Sequence, residues 1–259
     1  MNYFTAGIYG DLNAYKKIKS ILGPEDRLWI LGDVLDGNDE HPEECLRILD
    51  DIKESENVTL ILGDHEYFHA MRLFSEMDDD DEEEASVWEN ELSKFEYSGD
   101  ALVQYMKTVL SRKEREEYAN YLSSLDVSDI AVVDGRLFYL CHGAPARMED
   151  KESQWQYSVV TSNVDLFKTY SRDMASDIRI PYFAKTYGIR RSQLESAILM
   201  VGHTFVATLE MEGEDTEDGI VFSNRIMCIN NGASANNGGT HIVVGIDSAG
   251  WQTFEIGGK

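Results

Sequence analysis

The stretch Arg27-Leu28-Trp29-Ile30-Leu31-Gly32-Asp33 decides the fold class, because a short apolar run ends there in Gly-Asp. Two more apolar runs end in the same pair, at Gly10-Asp11 and at Gly63-Asp64. Each pair precedes a segment of helical character. Alternating strands and helices predict parallel strands joined by crossovers. Ligands bind at the carboxyl edge of such sheets, so the three aspartates are expected at a binding edge.

Two histidine-containing motifs follow later in the chain. His142-Gly143 comes after an apolar run at 137–141, and Gly202-His203-Thr204 comes after another at 197–201. Carboxylates and imidazoles together, without a required thiolate, suit hard or borderline divalent metals. The three Gly-Asp pairs and the two histidine motifs, five motifs in all, therefore predict a metal site beyond the strand ends.

The hydrophobic pattern predicts a βαβ half followed by a mostly antiparallel half. The predicted strands are 3–10, 27–32, 57–62, 130–133, 136–141, 197–202, 205–211, 219–222, 226–230, 241–246 and 251–256. The predicted helices are 14–22, a segment after Pro42, a segment from near His65, 163–175 and 191–196. Asp134-Gly135 between two strands is a strong hairpin signal. One domain over 1–259 is expected, with a helical insertion at about 72–125.

Composition limits the classes of function. The chain has 259 residues, 48 of them acidic and 23 basic, for a formal charge of -25. This charge argues against long nucleic acids and anionic membranes as partners. The acidic run at 78–84 is expected to be a solvated loop, or else a docking surface for a basic partner. Three cysteines, no basic leader and no long apolar run predict a cytoplasmic protein without disulfides or membrane spans.

The five motifs, in this order, resemble those of the calcineurin-like metallophosphoesterases, whose usual pattern is GDxH, GDxxDRG, GNHE, HG or HA, and GHT. Within that superfamily, the likeness is greatest to the phosphoprotein (serine/threonine) phosphatases and the related dinucleoside tetraphosphate hydrolases. The resemblance implies an α/β fold, a four-layer α/β/β/α sandwich of two mixed sheets, here with a helical acidic insertion. It also implies phosphoester hydrolysis by a metal-activated water, without a covalent enzyme intermediate.

The resemblance further implies two divalent metal ions, with Mn²⁺ expected first and Mg²⁺, Fe or Zn²⁺ as alternatives. One carboxylate would bridge the two ions, and an imidazole oriented by a second carboxylate would act as general acid. The implied ligands are Asp11, Asn13 and bridging Asp33 for the first ion, and Asp33, Asp64, His142 and His203 for the second. The implied acid is His65, oriented by Asp36, and the expected phosphate clamp is Arg172, with Arg147 as second choice.

Three positions depart from the family pattern. Asn13 stands where the family has a metal-ligating histidine, and Asp64 stands where it has asparagine. Gly37 stands where it has a phosphate-binding arginine. The extra charge of Asp64 could compensate for a weaker first site and favour harder ions.

The substrate and the activity leave alternatives open. A phosphomonoester such as phosphoserine or phosphothreonine on a protein is the first expectation, and a dinucleoside polyphosphate is the second. The departures also permit a degenerate module that binds metal or phosphate with little turnover. His65-Glu66-Tyr67-Phe68-His69 spells H-E-x-x-H, a zinc protease motif when it lies in mid-helix. Here it comes directly after a strand end, which disfavours the protease hypothesis.

Overall fold

A computed structural model describes most of the chain. The described residues are 1–77, 100–143, 197–203, 205, 207, 216–223, 225–234 and 239–257. Several predictions therefore fall outside the described residues: the acidic run 78–84, the helices 163–175 and 191–196, and most of the strand 205–211.

The described helices and strands follow the predicted alternation. The strands are β1 (Asn2–Thr5), β2 (Arg27–Ile30), β3 (Val58–Leu60), β4 (Ser128–Val133), β5 (Arg136–Cys141), β6 (Ile198–Val201), β7 (Thr216–Glu217), β8 (Ile220–Ser223), β9 (Ile226–Cys228), β10 (Thr240–Asp247) and β11 (Gly250–Gly257). The helices are α1 (Leu12–Ser20), α2 (Glu43–Glu54), α3 (Asp64–Met77), α4 (Asp100–Val109) and α5 (Arg112–Ser123).

Two mixed sheets form the centre of the fold. The first has the order β11-β10-β1-β2-β3, in which β1, β2 and β3 are parallel and β10 is antiparallel to β1 and β11. The second has the order β4-β5-β6-β9-β8-β7, in which β5, β6 and β9 are parallel. Each sheet thus has three adjacent parallel strands whose carboxyl ends can carry site residues.

A dry apolar layer joins the two sheets. Phe4 and Trp29 from the first sheet stack with ring centroids 5.2 Å apart, and Phe138 of the second sheet lies 5.9 Å from Phe4. Met200 and Met227 complete this layer from β6 and β9. Because these side chains face inward from both sheets, the two sheets are held face to face, as in a sandwich.

A second core lies between the first sheet and helices α1 to α5. It includes buried side chains from every one of these helices: Tyr15, Ile48, Phe68, Leu102 and Leu122. The α4 and α5 helices belong to the predicted insertion at 72–125, and they share this core with α2 and α3. The predicted start of the insertion at residue 72 lies inside α3, which continues to Met77.

The helix boundaries have local causes. Asp11 caps α1, because its Oδ1 accepts a hydrogen bond from the Ala14 amide at 2.8 Å. Ser111 and Glu114 form a capping box that begins α5. None of the helices in the described part of the chain is both long and apolar enough to cross a bilayer.

Candidate metal centre

Four side chains that could hold a metal ion converge at the carboxyl edge of the two sheets. Asp33 follows β2, Asp64 begins α3, His142 follows β5 and His203 follows β6. One potential ligand atom from each residue lies within 4.8 Å of the others. These residues follow parallel strands of both sheets, so the cluster lies where the carboxyl ends of those strands come together.

Asp64 holds the two imidazoles of this cluster together. Its Oδ1 lies 2.8 Å from His142 Nε2 and 2.9 Å from His203 Nδ1, and these two nitrogens are 3.1 Å apart. His142 Nδ1 lies 2.6 Å from the Leu31 carbonyl oxygen and donates to it. In the neutral ring, that bond leaves the Nε2 lone pair directed into the cluster, as metal-ligating histidines require.

The charges of the cluster shift the pKa values of its members. Burial lowers the pKa of His142, but the charge of Asp33 and the hydrogen bond to Asp64 outweigh burial and raise it to about 9. Burial also raises the pKa of Asp33, and the nearby charge of Asp64 adds to this effect. The pKa of Asp64 is well below its usual value, because hydrogen bonds from the histidines outweigh burial. Two buried carboxylates so close together favour a cation between them.

A histidine pair shares one carboxylate beside the cluster. Asp36 Oδ2 accepts from His65 Nδ1 at 2.9 Å and from His69 Nε2 at 2.8 Å. Burial raises the pKa of Asp36, but the charge of His69 and the hydrogen bonds from both histidines outweigh burial and hold this pKa well below its usual range. Burial lowers the pKa of His65, but the charge of Asp33 and the bond to Asp36 raise it to about 10. The His65 backbone amide lies 3.5 Å from Asp33 Oδ1, which places His65 next to the cluster.

Glu66 organises the backbone of the site. It is fully buried, and its carboxylate accepts hydrogen bonds from the backbone amides of Asp33, Val34, Leu35 and Gly63. One side chain thus fixes the two turns that carry Asp33 and Asp64. The sequence analysis gave Glu66 no structural role. The signal that could have indicated one is its position in Gly63-Asp64-His65-Glu66, which matches the E of the family motif GNHE.

The comparisons with known proteins address the fold. No protein-family model and no curated protein sequence matches this chain. A metallophosphoesterase from Sphaerobacter thermophilus is similar in structure, with TM-score 0.50 and 15% identity over 100% of this chain and 89% of that chain. A hypothetical protein from Pyrococcus horikoshii OT3 gives TM-score 0.51 and 15% identity over the same shares of the two chains. A Saccharomyces cerevisiae serine/threonine phosphatase with similarity to human PP5 gives TM-score 0.48 and 14% identity, over 98% of this chain and 79% of that chain.

The chain has the same fold as the Sphaerobacter thermophilus metallophosphoesterase, which agrees with the predicted resemblance to calcineurin-like metallophosphoesterases. The predicted fold class, an α/β sandwich of two mixed sheets with flanking helices, is confirmed. At these identities the likeness shows the fold alone, and activity has to be argued from the site itself.

Within this fold, Asp11 and Asn13 do not directly follow a strand, although the sequence pattern predicted that they would, and their assignment as metal ligands stays a prediction. Strand β1 ends at Thr5 rather than at residue 10, so Gly10-Asp11 does not lie at a strand end. Asp11 caps α1, its Oδ2 lies 3.5 Å from His241 Nε2, and Asn13 is exposed on the helix. Asp11 is not a member of the cluster formed by Asp33, Asp64, His142 and His203, which in the described part of the chain is the only such group of His, Cys, Asp and Glu side chains.

Tyr9 reaches the cluster of Asp33, Asp64, His142 and His203 instead. Its hydroxyl donates to Asp33 Oδ2 at 2.8 Å, and its ring packs edge-on against His65 with centroids 5.2 Å apart. Sequence reasoning missed Tyr9, because it looks like the last apolar residue of a strand. The missing arginine at position 37 also has a physical cause. Gly37 has φ +66°, and a Cβ there would lie 2.6 Å from the Cβ of Tyr9.

The remaining predicted residues have mixed outcomes. His65, Asp36, Asp33, Asp64, His142 and His203 lie together as described above. Arg172 and Arg147 lie outside the described residues. The zinc protease hypothesis for H-E-x-x-H is wrong. His65 and His69 both form hydrogen bonds with Asp36 instead of facing a common metal ion, and the Glu66 carboxylate accepts hydrogen bonds from backbone amides instead of acting as a base.

Proposed function

We propose that this chain is a metal-dependent phosphoester hydrolase whose ion is held by Asp33, Asp64, His142 and His203. The observation that supports this proposal most directly is the convergence of these four side chains within 4.8 Å. Two carboxylate oxygens and two imidazole nitrogens form a donor set that fits Mn²⁺, Fe or Zn²⁺. A divalent ion bound there supplies polarisation of a phosphoryl oxygen and activation of water.

His65 is proposed as the general acid. Its Nδ1 donates to Asp36, so the proton available for transfer to a leaving oxygen is the one on Nε2. The raised pKa, about 10, keeps the imidazole protonated at neutral pH in the absence of a bound cation. With a divalent cation held by the four proposed ligands, the pKa of His65 would lie closer to the working pH, where His65 would transfer its proton more readily.

The proposed substrate class and metal follow the family resemblance, and the proposed compartment follows the composition and hydrophobic pattern of the sequence. A phosphomonoester, such as phosphoserine or phosphothreonine on a protein, is the proposed substrate, and a dinucleoside polyphosphate is the second choice. Mn²⁺ is the proposed ion, Arg172 is the proposed phosphate clamp, and the cytoplasm is the proposed location. The net charge of -25 disfavours a long nucleic acid, and the acidic insertion is a proposed docking surface for a basic partner.

A second candidate function is a module that binds metal or phosphate with little turnover. Two observations favour it: the Tyr9 hydroxyl occupies one oxygen of Asp33, and Gly37 leaves no side chain to clamp phosphate. The retained pair of His65 and Asp36 favours the hydrolase, because a binding module does not need an oriented acid.

Hydrolysis of an aryl phosphomonoester tests the proposal. Metal-stripped protein is titrated with Mn²⁺, Mg²⁺ and Zn²⁺, and an aryl phosphodiester is run in parallel. We expect metal-restored turnover that is lost, with most metal binding, in Asp33→Asn. Folded, metal-loaded protein that turns over neither ester would support the binding module, and full activity in Asp33→Asn would contradict the proposed metal site.

A further inference from the structure

The carboxylate of Asp33 is divided between two neighbours. Its Oδ1 faces the cluster, 3.4 Å from His142 Nε2. Its Oδ2 faces the other way and accepts the hydrogen bond from the Tyr9 hydroxyl. A carboxylate can bridge two ions with one oxygen on each, and in that arrangement the Tyr9 hydroxyl occupies the Asp33 oxygen that a second ion would need.

The direction of the Tyr9 hydrogen bond is fixed by Asn230. The Asn230 Nδ2 donates to the Tyr9 oxygen at 3.2 Å, while its Oδ1 accepts from the Gly232 amide at 2.9 Å. The amide therefore cannot be turned round without losing the Gly232 bond. With its oxygen accepting from Asn230, the buried phenol directs its own proton to Asp33.

The backbone of Tyr9 is held in an unfavourable conformation to make this contact. Its φ is +45°, in the left-handed region that tyrosine rarely adopts. Two backbone bonds hold the turn: Tyr9 N–H to the Asp33 carbonyl at 3.0 Å, and Gly10 N–H to the Val34 carbonyl at 2.9 Å. The strained turn is thus tied directly to the backbone around Asp33.

Gly7 contributes no ligand on this side. A Cβ at Gly7 would lie 2.6 Å from the Tyr9 ring and 2.6 Å from Asn230 Oδ1, so the surroundings leave no room for a side chain. In the family motif GDxH, the D and the H are two positions apart, and Gly7 and Tyr9 have the same spacing in this chain. The two residues that approach Asp33 at this spacing are therefore a glycine and a phenol, while Asp11 caps a helix nearby.

We propose that this centre holds one divalent ion, and that the Tyr9 phenol takes the place of a second ion on Asp33. The inference rests on the proposed function, because it concerns the same metal site. A neutral hydroxyl stabilises the charge of Asp33 Oδ2 by a hydrogen bond, as a second cation would do more strongly. Asp33 is then a terminal ligand rather than a bridge.

Metal stoichiometry tests the proposal without relying on activity. Metal-stripped protein is titrated with Mn²⁺ by calorimetry, and bound Mn²⁺ is counted by elemental analysis and examined by electron paramagnetic resonance. We expect one ion per chain and the six-line spectrum of isolated Mn²⁺. Two ions per chain with a coupled spectrum would overturn the proposal and leave the hydrolase standing. No bound ion would overturn both, whereas one bound ion without turnover would overturn only the hydrolase.

Two variants make the test specific to Tyr9. Tyr9→His offers an imidazole in place of the phenol, and histidine tolerates the left-handed conformation better than tyrosine does. We expect a second, weaker equivalent of Mn²⁺ in this variant and a loss of most binding in the control Asp64→Asn. A folded Tyr9→His protein that still binds one equivalent at millimolar Mn²⁺ would overturn the role given to Tyr9.

Discussion

His69 lies fully buried against Asp36, with its Nε2 2.9 and 2.8 Å from the two carboxylate oxygens. The same carboxylate binds His65 through Oδ2, so Asp36 connects an interior imidazole with one beside the candidate metal centre. His69 touches none of the four proposed ligands in these hydrogen bonds, and it acts on the site through Asp36. It is a positioning residue for the proposed acid.

His69→Leu should lower kcat about 10- to 100-fold, because Asp36 loses the hydrogen bond from His69 and orients His65 less well. The Mn²⁺ stoichiometry should stay unchanged. His69→Gln keeps an N–H donor and should recover most of the loss, which a purely steric role would not predict. Steady-state kinetics with metal analysis of both variants provides the check, and equal kcat in His69→Leu and wild type would refute the positioning role.

His65→Asn should lower kcat by about 10²- to 10⁴-fold, the usual contribution of a general acid. Bound metal should hardly change, because His65 is not among the four proposed ligands. A substrate with a better leaving group should show a smaller loss, since it needs less protonation. If the variant lost its metal instead, His65 would have to be a ligand rather than an acid.

Glu66→Gln should destabilise the protein by about 3 kcal/mol or more. The buried carboxylate accepts four backbone hydrogen bonds, and an amide would turn a donor toward at least one of those N–H groups. Urea unfolding of metal-free protein measures the change. Glu54→Gln at the exposed end of α2 is the matched control and should change the unfolding free energy by less than about 0.5 kcal/mol. Similar values for the two variants would contradict the clamping role of Glu66.

Gly37→Ala should destabilise more than Gly135→Ala. Both glycines have positive φ, +66° and +76°, so each substitution carries a conformational cost of about 1–2 kcal/mol. Only Gly37 adds a steric clash, because a Cβ at Gly135 would meet nothing within 4 Å. Gly37→Arg should therefore fail to restore phosphate binding at this position. Equal unfolding free energies for the two alanine variants would show that Tyr9 does not exclude a side chain there.

The sequence predicts the part of the site that depends on simple strand ends. Asp33 and Asp64 follow β2 and β3 almost directly, and the same holds for His142 and His203 after β5 and β6. An apolar run followed by Gly-Asp, or by a motif that contains histidine, is enough to locate these four side chains. The predicted hairpin at Asp134-Gly135 is also formed, between β4 and β5.

The rest depends on backbone conformations that hydrophobic pattern does not encode. The apolar run from Tyr3 to Tyr9 looks like one strand, but positive φ angles at Gly7, Tyr9 and Gly10 turn the chain after Thr5. That turn moves Asp11 to a helix cap and brings Tyr9 to the cluster. His69 was missed for a related reason, since only the folded chain brings it to a carboxylate 33 residues away.

The metal-free protein should lose stability as the pH rises from about 6.5 to 9. The pKa of His142 is raised to about 9 in the folded chain and that of His65 to about 10, against about 6.5 when unfolded. A raised histidine pKa gives stability that is complete below the unfolded value and is lost as the pH passes through the folded value.

Mn²⁺ should oppose this loss of stability, because it binds the neutral imidazole of His142. As the pH rises, fewer protons compete with Mn²⁺ for that imidazole. The gain in melting temperature caused by Mn²⁺ should therefore grow between pH 6.5 and 9. Thermal unfolding with chelator and with Mn²⁺ across this range makes the measurement. In His142→Asn the chelated protein should show a shallower decline, because only the contribution of His65 remains. A chelated wild-type protein whose melting temperature is flat or rises over this range would contradict the charge assignment of the cluster.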